Sequence, residues 1–172
     1  MSGSSFARHA AELLPFCRER GYNDRVALLW DLSCHSGRRR LAVWNFRKGC
    51  AEHVFVVSHG SGSAESHVRS ACARVSNEDG SHLSSEGRAL VAERYTGSYG
   101  VAYRLDGLDE TNASLRPRCV VLHGWRYTTH LPIWPVATVG SWGCPVVSTR
   151  DMETLDAILQ REQRVVLWAY MD

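Results

Sequence analysis

The chain has 172 residues, 44% of them hydrophobic and 22% charged, and its 20 Lys and Arg against 18 Asp and Glu leave a net charge of +2. This is the profile of one globular domain long enough to bury a core. The charge is too small to argue for nucleic acid, no stretch approaches the roughly 18 apolar residues that cross a bilayer, and six cysteines without a Cys-x-x-Cys pair exclude a zinc ribbon.

Met1-Ser2-Gly3-Ser4-Ser5 lacks the apolar region of a signal peptide. Phe6, Ala10, Leu13, Leu14 and Cys17 recur at helical spacing, so residues 5–20 are predicted as an amphipathic helix that Pro15 kinks or shortens. Residues 1–24 form an N-terminal helical segment and 25–172 the main domain. Residues 25–33 form a strand, His35-Ser36-Gly37-Arg38 turns it, and Leu41, Val43, Trp44 and Phe46 mark the return strand. Arg38-Arg39-Arg40 falls at that turn and reads as a solvated basic run. Cys34 and Cys50 close the two ends of the hairpin and could be bridged. Lys48-Gly49 turns again, and residues 53–58 supply a third strand.

A long polar section runs from His59-Gly60-Ser61-Gly62-Ser63 to about Gly87, and such a stretch within a domain is usually a functional loop. Tyr99 to Leu105 returns to strand character. Residues 118–122 are the most apolar internal strand, with Cys119 as a small buried hydrophobe. Ser148-x-x-Asp151 opens a short helix carrying Met152, Leu155, Ile158 and Leu159, and residues 165–170 form a last strand. Strands dominate, helices flank them, and βαβ alternation is missing. The class is mainly β, of the α+β kind.

The chemistry sits where the strand Val120-Val121-Leu122 delivers His123-Gly124, followed after a further stretch by Ser141-Trp142-Gly143-Cys144-Pro145. A thiol held between Gly and Pro lies on a tight turn. A nucleophilic cysteine needs a base on a rigid element and free N–H groups for the oxyanion. Cys144 is the candidate nucleophile and His123 its base, and a carbonyl such as that of Gly124 would orient the imidazole. The N–H groups of Trp142, Gly143 and Cys144 would form the oxyanion site. An activated Cys144 would be alkylated well below the ordinary thiol pKa of about 8.5. The remaining histidines lack paired spacing, which leaves a zinc hydrolase unsupported. Trp30, Trp44 and Trp168 fall in strand patterns, whereas Trp125, Trp134 and Trp142 flank the proposed site and could line a groove.

The order histidine before cysteine is not that of papain-like or transglutaminase-like enzymes. Caspases and sortases share the order but not the surrounding motif. The chain resembles the L,D-transpeptidase (YkuD-like) catalytic domain, in which a histidine ends a strand, some seventeen residues follow, and Ser/Thr-x-Gly-Cys comes next. It is most similar to a single-domain murein L,D-transpeptidase branch. Ser58-His59-Gly60-Ser61-Gly62, Ser76-Asn77-Glu78-Asp79-Gly80-Ser81 with Ser84-Ser85-Glu86-Gly87, Tyr103-Arg104-Leu105-Asp106-Gly107-Leu108, His123-Gly124 and Ser141-Trp142-Gly143-Cys144-Pro145 run collinearly through residues 25–172.

The resemblance implies a β-sandwich or barrel with flanking short helices, and a thioester acyl-enzyme on Cys144 formed at the diaminopimelate–D-Ala bond of peptidoglycan stem peptides. An amine acceptor would give L,D-transpeptidation or D-amino-acid exchange, and water would give L,D-carboxypeptidase activity. It implies no cofactor and no metal. Trp142 and Val146 replace the family's commoner histidine and Asn or Arg at those positions. Substrate binding is therefore expected from His59, Gly60, Arg104 and Ser141, although His59 could simply cap a loop and Arg104 pair with Asp106 or Asp109. The expected location is the periplasm or cell envelope. Without a visible signal peptide, delivery by a secretion machine as an antibacterial effector with an immunity protein is one expectation. A catalytically dead peptidoglycan-binding module is the competing one.

Overall fold

The computed structural model describes residues 2–172. Helix α1 (Ser2–Arg20) leads into strands β1 (Val26–Asp31), β2 (Arg39–Asn45), β3 (Cys50–Val56), β4 (Gly87–Gly97) and β5 (Gly100–Gly107). A 3-10 turn at Glu110–Asn112 follows, then β6 (Val121–Gly124), β7 (Val146–Val147), helix α2 (Thr149–Arg161) and β8 (Val166–Tyr170). One sheet holds all eight strands in the order β3-β2-β1-β8-β4-β5-β6-β7, with β1–β8 and β6–β7 parallel and the other neighbours antiparallel. Its two ends meet: Ser58, just past β3, exchanges N–H···O bonds of 2.7 and 3.3 Å with Val146 of β7. The sheet therefore curls on itself, and the fold is the mainly β, α+β architecture expected.

Two-residue alternation divides the strands between two cores. Val26, Leu28 and Trp30 of β1, Leu41 and Val43 of β2, and Leu167 and Ala169 of β8 face an inner cluster that includes Met152, Leu155, Ile158 and Leu159 of α2. Ala27, Leu29, Ala42, Trp44, Val166 and Tyr170 face outward against Phe6, Ala10, Leu13 and Cys17 of α1. With both faces covered, β1 is buried at all six positions. The break expected at Pro15 does not occur. Its ring lies on the exposed face, and the carbonyl it leaves unpaired, that of Ala11, belongs to an exposed residue, while Leu13 and Cys17 anchor the helix on either side.

Strand β4, a stretch to which the sequence reading assigns no element, alternates between buried and half-buried from Gly87 to Ala92, and a register shift between Val91 and Arg94 then breaks the pattern. Two further expectations are revised. Cys119 is exposed with φ 56°, in the turn before β6 rather than in a strand core. Arg40 is fully buried, not part of a solvated run. All six cysteines are free thiols, Cys34 and Cys50 included. Among the described residues no helix is long and apolar enough to cross a membrane.

The segment between β3 and β4 carries no named helix or strand, and it lies along the equally irregular 137–143 stretch. Ser61 N–H donates to Ser141 O at 3.0 Å, Ser141 N–H to His59 O at 2.8 Å, and Gly140 N–H to Val68 O at 2.7 Å. These two stretches build one side of the site, and the edge of β6 builds the other.

Candidate active site

Parallel pairing of β6 with β7 sets His123 opposite Val146, two residues beyond Cys144. His123 N–H reaches back to Pro145 O at 3.4 Å, and Val121 N–H points at Cys144 Sγ, also at 3.4 Å. The sulfur thus lies beside β6 about two strand residues, or roughly 7 Å, from the backbone that carries the imidazole. His123 and Cys144 both line one pocket of about 240 Å³, with Ser66, His67, Tyr99, Trp125, Gly140, Ser141, Trp142 and Val146.

One hydrogen bond fixes the tautomer of the imidazole. His123 Nδ1 is 3.0 Å from Gly124 O. A carbonyl only accepts, so Nδ1 carries the hydrogen and Nε2 keeps the lone pair that can take a proton. Burial pushes the imidazole pKa below its ordinary value, partly offset by the Gly124 carbonyl. Burial likewise pushes the Cys144 thiol up, while the Val121 N–H and the positive charge of Arg118 draw it back. Opposite shifts of this kind favour a neutral thiol beside a neutral imidazole in the resting site.

The nucleophile turn is wired to its surroundings. Ser141 Oγ donates to Cys144 O at 2.6 Å and accepts from Gly143 N–H at 3.2 Å. Ser84 Oγ donates to Gly143 O at 2.9 Å and accepts from Gly60 N–H at 3.0 Å. Gly143 takes φ +116°, and a Cβ there would sit 2.9 Å from Leu83 O, so only glycine fits without displacing the 83–85 backbone. Because Gly143 N–H is already donated to Ser141, it is not open to an oxyanion. The N–H groups of Trp142 and Cys144 donate to no acceptor among the described residues and remain available.

The expected substrate residues separate. Ser141 lines the pocket, and Gly60 pairs with it as an isolated bridge. His59 and Arg104 are not among the pocket-lining residues. His59 is 1% exposed; its Nδ1 lies 2.6 Å from Arg40 Nη2 and its Nε2 3.0 Å from Ser70 Oγ. Arg104 lies over the Tyr95 ring at 4.8 Å, and the acidic partners expected for it are taken, Asp106 by Arg116 and Asp109 by Arg88. Trp125 and Trp142 line the pocket, whereas Trp134 packs against the Arg38 guanidinium at 4.5 Å.

Sequence reasoning missed Tyr99, His67 and Ser66. Tyr99 stacks on His123, and His67, in the left-handed region at φ 63°, packs its ring against Trp125 at 5.3 Å and Tyr127 at 4.7 Å. Only Tyr99 carried a signal, as an aromatic residue in a turn between Gly97 and Gly100.

A family model described as the L,D-transpeptidase catalytic domain matches residues 4–170. The chain belongs to that family. Its members are cysteine-dependent transpeptidases. No curated protein matches the chain. Among solved structures, the helical cell shape determining protein Pgp2 from Campylobacter jejuni is similar in fold, at 10% identity and a TM-score of 0.54 over 88% of this chain and 50% of that one. A point mutant of Pgp2 gives 11% identity and a TM-score of 0.55 over 88% and 49%. An L,D-transpeptidase from Xylanimonas cellulosilytica DSM 15894 aligns over 91% of this chain and 68% of its own at 15% identity, with a TM-score of 0.48. This L,D-transpeptidase domain thus spans about half the length of the Pgp2 chains.

Proposed function

We propose that this L,D-transpeptidase domain forms a thioester on Cys144 with peptidoglycan stem peptides, cleaving the diaminopimelate–D-Ala bond. The observation that carries the reading is the shared pocket: a free thiol on the turn before β7 and a tautomer-fixed imidazole on the adjacent β6, beside two unoccupied backbone N–H groups.

In that reaction His123 Nε2 removes the Cys144 proton as sulfur attacks the carbonyl carbon on the L-centre of diaminopimelate. The carbonyl π pair moves onto oxygen, where the Trp142 and Cys144 N–H groups meet it. The intermediate collapses, the C–N bond breaks, and the imidazolium gives its proton to the departing D-Ala amine. An acceptor amine or water then loses a proton to His123 and attacks the thioester. The C–S bond breaks and the thiol regains its proton. An amine leaves a 3→3 cross-link or an exchanged D-amino acid, and water leaves a tripeptide. Starting from neutral partners, the proton moves only as the C–S bond forms, so no buried ion pair has to be maintained between turnovers.

The place of action is the cell envelope, where this polymer lies. Delivery into a rival cell adds a sharper expectation: periplasmic expression harms a sensitive host, and the Cys144→Ala form does not. The decisive experiment incubates the protein with purified muropeptides and weighs the products. Loss of terminal D-Ala, mass-shifted tetrapeptides or new dimers, each abolished by Cys144→Ala, are the expected results. Retention of muropeptides without any product would establish the binding-module alternative instead.

A further inference from the structure

Arg118 occupies an unusual position behind the nucleophile turn. Its Nη1 donates to Ser76 O at 3.0 Å and Ser85 Oγ at 2.9 Å, and its Nη2 to Ser81 Oγ at 3.2 Å and Leu83 O at 2.7 Å. All four acceptors are neutral oxygens, and among the described residues Arg118 has no carboxylate partner. Arg25, Arg88, Arg94 and Arg116, by contrast, each pair with an acid. The guanidinium is half-buried and lies against the turn, with Nη2 3.3 Å from where a Cβ on Gly143 would stand.

We propose that Arg118 is a positioning residue for Cys144 in two respects. It clamps the Ser76–Ser85 segment on which the Gly143–Cys144 turn rests, and it supplies an unneutralised positive charge that favours the thiolate. The inference rests on the reading of Cys144 as nucleophile.

The clamp is a continuous chain of bonds. Arg118 holds Leu83 O and Ser85 Oγ; Ser84, between them, donates to Gly143 O; and Gly143 N–H is held in turn by Ser141 Oγ. A planar five-donor group can span backbone and hydroxyl acceptors on both sides of this segment, which an ammonium cannot do in fixed geometry. The electrostatic part follows from what faces the sulfur. The charged or titratable groups around Cys144 are Arg118, the Cys119 thiol and, lining the same pocket, His123, His67 and Tyr99. Arg118 is the only permanent charge among them. A permanent charge without a counter-ion, in a partly desolvated site, acts on the thiolate with little screening. It opposes the burial that holds the thiol protonated.

The test measures iodoacetamide alkylation of Cys144 against pH in the full-length protein, with peptide mapping to separate it from the other thiols. Arg118→Gln removes the charge. Ser81→Asp replaces one neutral acceptor of the clamp by a carboxylate set against the guanidinium, so it neutralises the charge while the bonds to Ser76 O, Leu83 O and Ser85 Oγ remain. Arg118→Lys keeps the charge and loses the fork. The expected result is a midpoint raised by about one pH unit in both neutralising variants, about tenfold slower alkylation at pH 8, and a midpoint within about 0.3 unit of the parent for Arg118→Lys. Turnover of muropeptides should fall in all three. Should Arg118→Gln fail to fold, Ser81→Asp alone decides the matter. An unchanged midpoint in folded Ser81→Asp overturns the electrostatic role, and undiminished turnover in Arg118→Lys overturns the clamp. Alkylation reads the sulfur whether or not it turns over substrate. A parent protein inactive on muropeptides, but with the expected midpoint shifts, would therefore defeat the proposed function and leave the charge assignment standing.

Discussion

Tyr99 lies stacked on His123, ring centroids 4.6 Å apart and planes inclined by 24°. The tyrosine sits at the turn between β4 and β5, and β5 runs beside β6 with Ala102 opposite His123, so hairpin geometry alone delivers the ring to the imidazole. It is 58% exposed and so forms an outer wall of the site.

Removing that wall should change the base. The His123 pKa is held down by burial, which keeps the imidazole neutral and able to accept a proton to lower pH. Tyr99→Ala admits water, raises the imidazole pKa toward its ordinary value, and moves the acid limb of the kcat/KM profile to higher pH. Tyr99→Phe keeps the ring and should keep the profile. A pH series of turnover for the three proteins checks this, and coincident acid limbs in Tyr99→Ala and parent would refute it.

The neutral resting pair carries its own expectation. If thiolate and imidazolium formed an ion pair at rest, His123→Ala would abolish alkylation at neutral pH and leave only the alkaline limb. With a raised thiol pKa and a lowered imidazole pKa, alkylation of Cys144 in the parent should rise only in the alkaline range. His123→Ala should then follow nearly the same curve while losing turnover by at least about a thousandfold. Alkylation and turnover measured on the same two proteins distinguish the alternatives.

Much of this architecture is legible in the residues, for specific reasons. The outer and inner cores follow from period-two alternation in β1, β2 and β8, and the cap of α2 from Ser148, whose Oγ accepts from Asp151 N–H at 3.1 Å. Cys144 and His123 stand out because a thiol between Gly and Pro, and a histidine ending an apolar run, are local signals. Arg40 is not legible in this way. Nothing near it in the chain says that Cys34 O, Val57 O and His59 Nδ1 converge on one guanidinium at 2.9, 2.9 and 2.6 Å. Strand β4 is hidden because its half-buried positions Leu90 and Ala92 are as apolar as the buried Ala89 and Val91, and Arg118 by acceptors some 33 to 42 positions away. What escapes the sequence is polar and long-range, because such bonds leave no periodicity.

Gly143 tests the geometry of the nucleophile turn. At φ +116°, any side chain strains the backbone by about 1–3 kcal/mol, and a Cβ would in addition press on Leu83 O. Gly143→Ala should lower stability by about that amount in urea unfolding. It should also reduce kcat by about a hundredfold through displacement of the adjacent sulfur, with KM less affected. Parent-like kcat in a folded Gly143→Ala protein would mean that the turn tolerates the shift and that its wiring matters little to the chemistry.

The last prediction concerns pH and stability. His59 is buried against the Arg40 guanidinium; desolvation first, and then that positive charge, push its pKa down to about 3. In the unfolded chain it titrates near 6.5. Between those values the unfolded state binds a proton that the folded state refuses, so stability rises with pH across the window and falls as the solution is acidified below about 6.5. One proton corresponds to at most about 1.4 kcal/mol per pH unit. His59→Gln offers an oxygen to Arg40 and an N–H to Ser70 without a titrating group. Its stability should therefore decline less steeply than the parent's from pH 6.5 to 5, above the range in which Asp109, Asp156 and Glu162, all held below their ordinary values, begin to protonate. Urea unfolding at half-unit pH steps supplies the slopes. Parallel slopes would show that His59 can be protonated in place, most simply by turning away from Arg40.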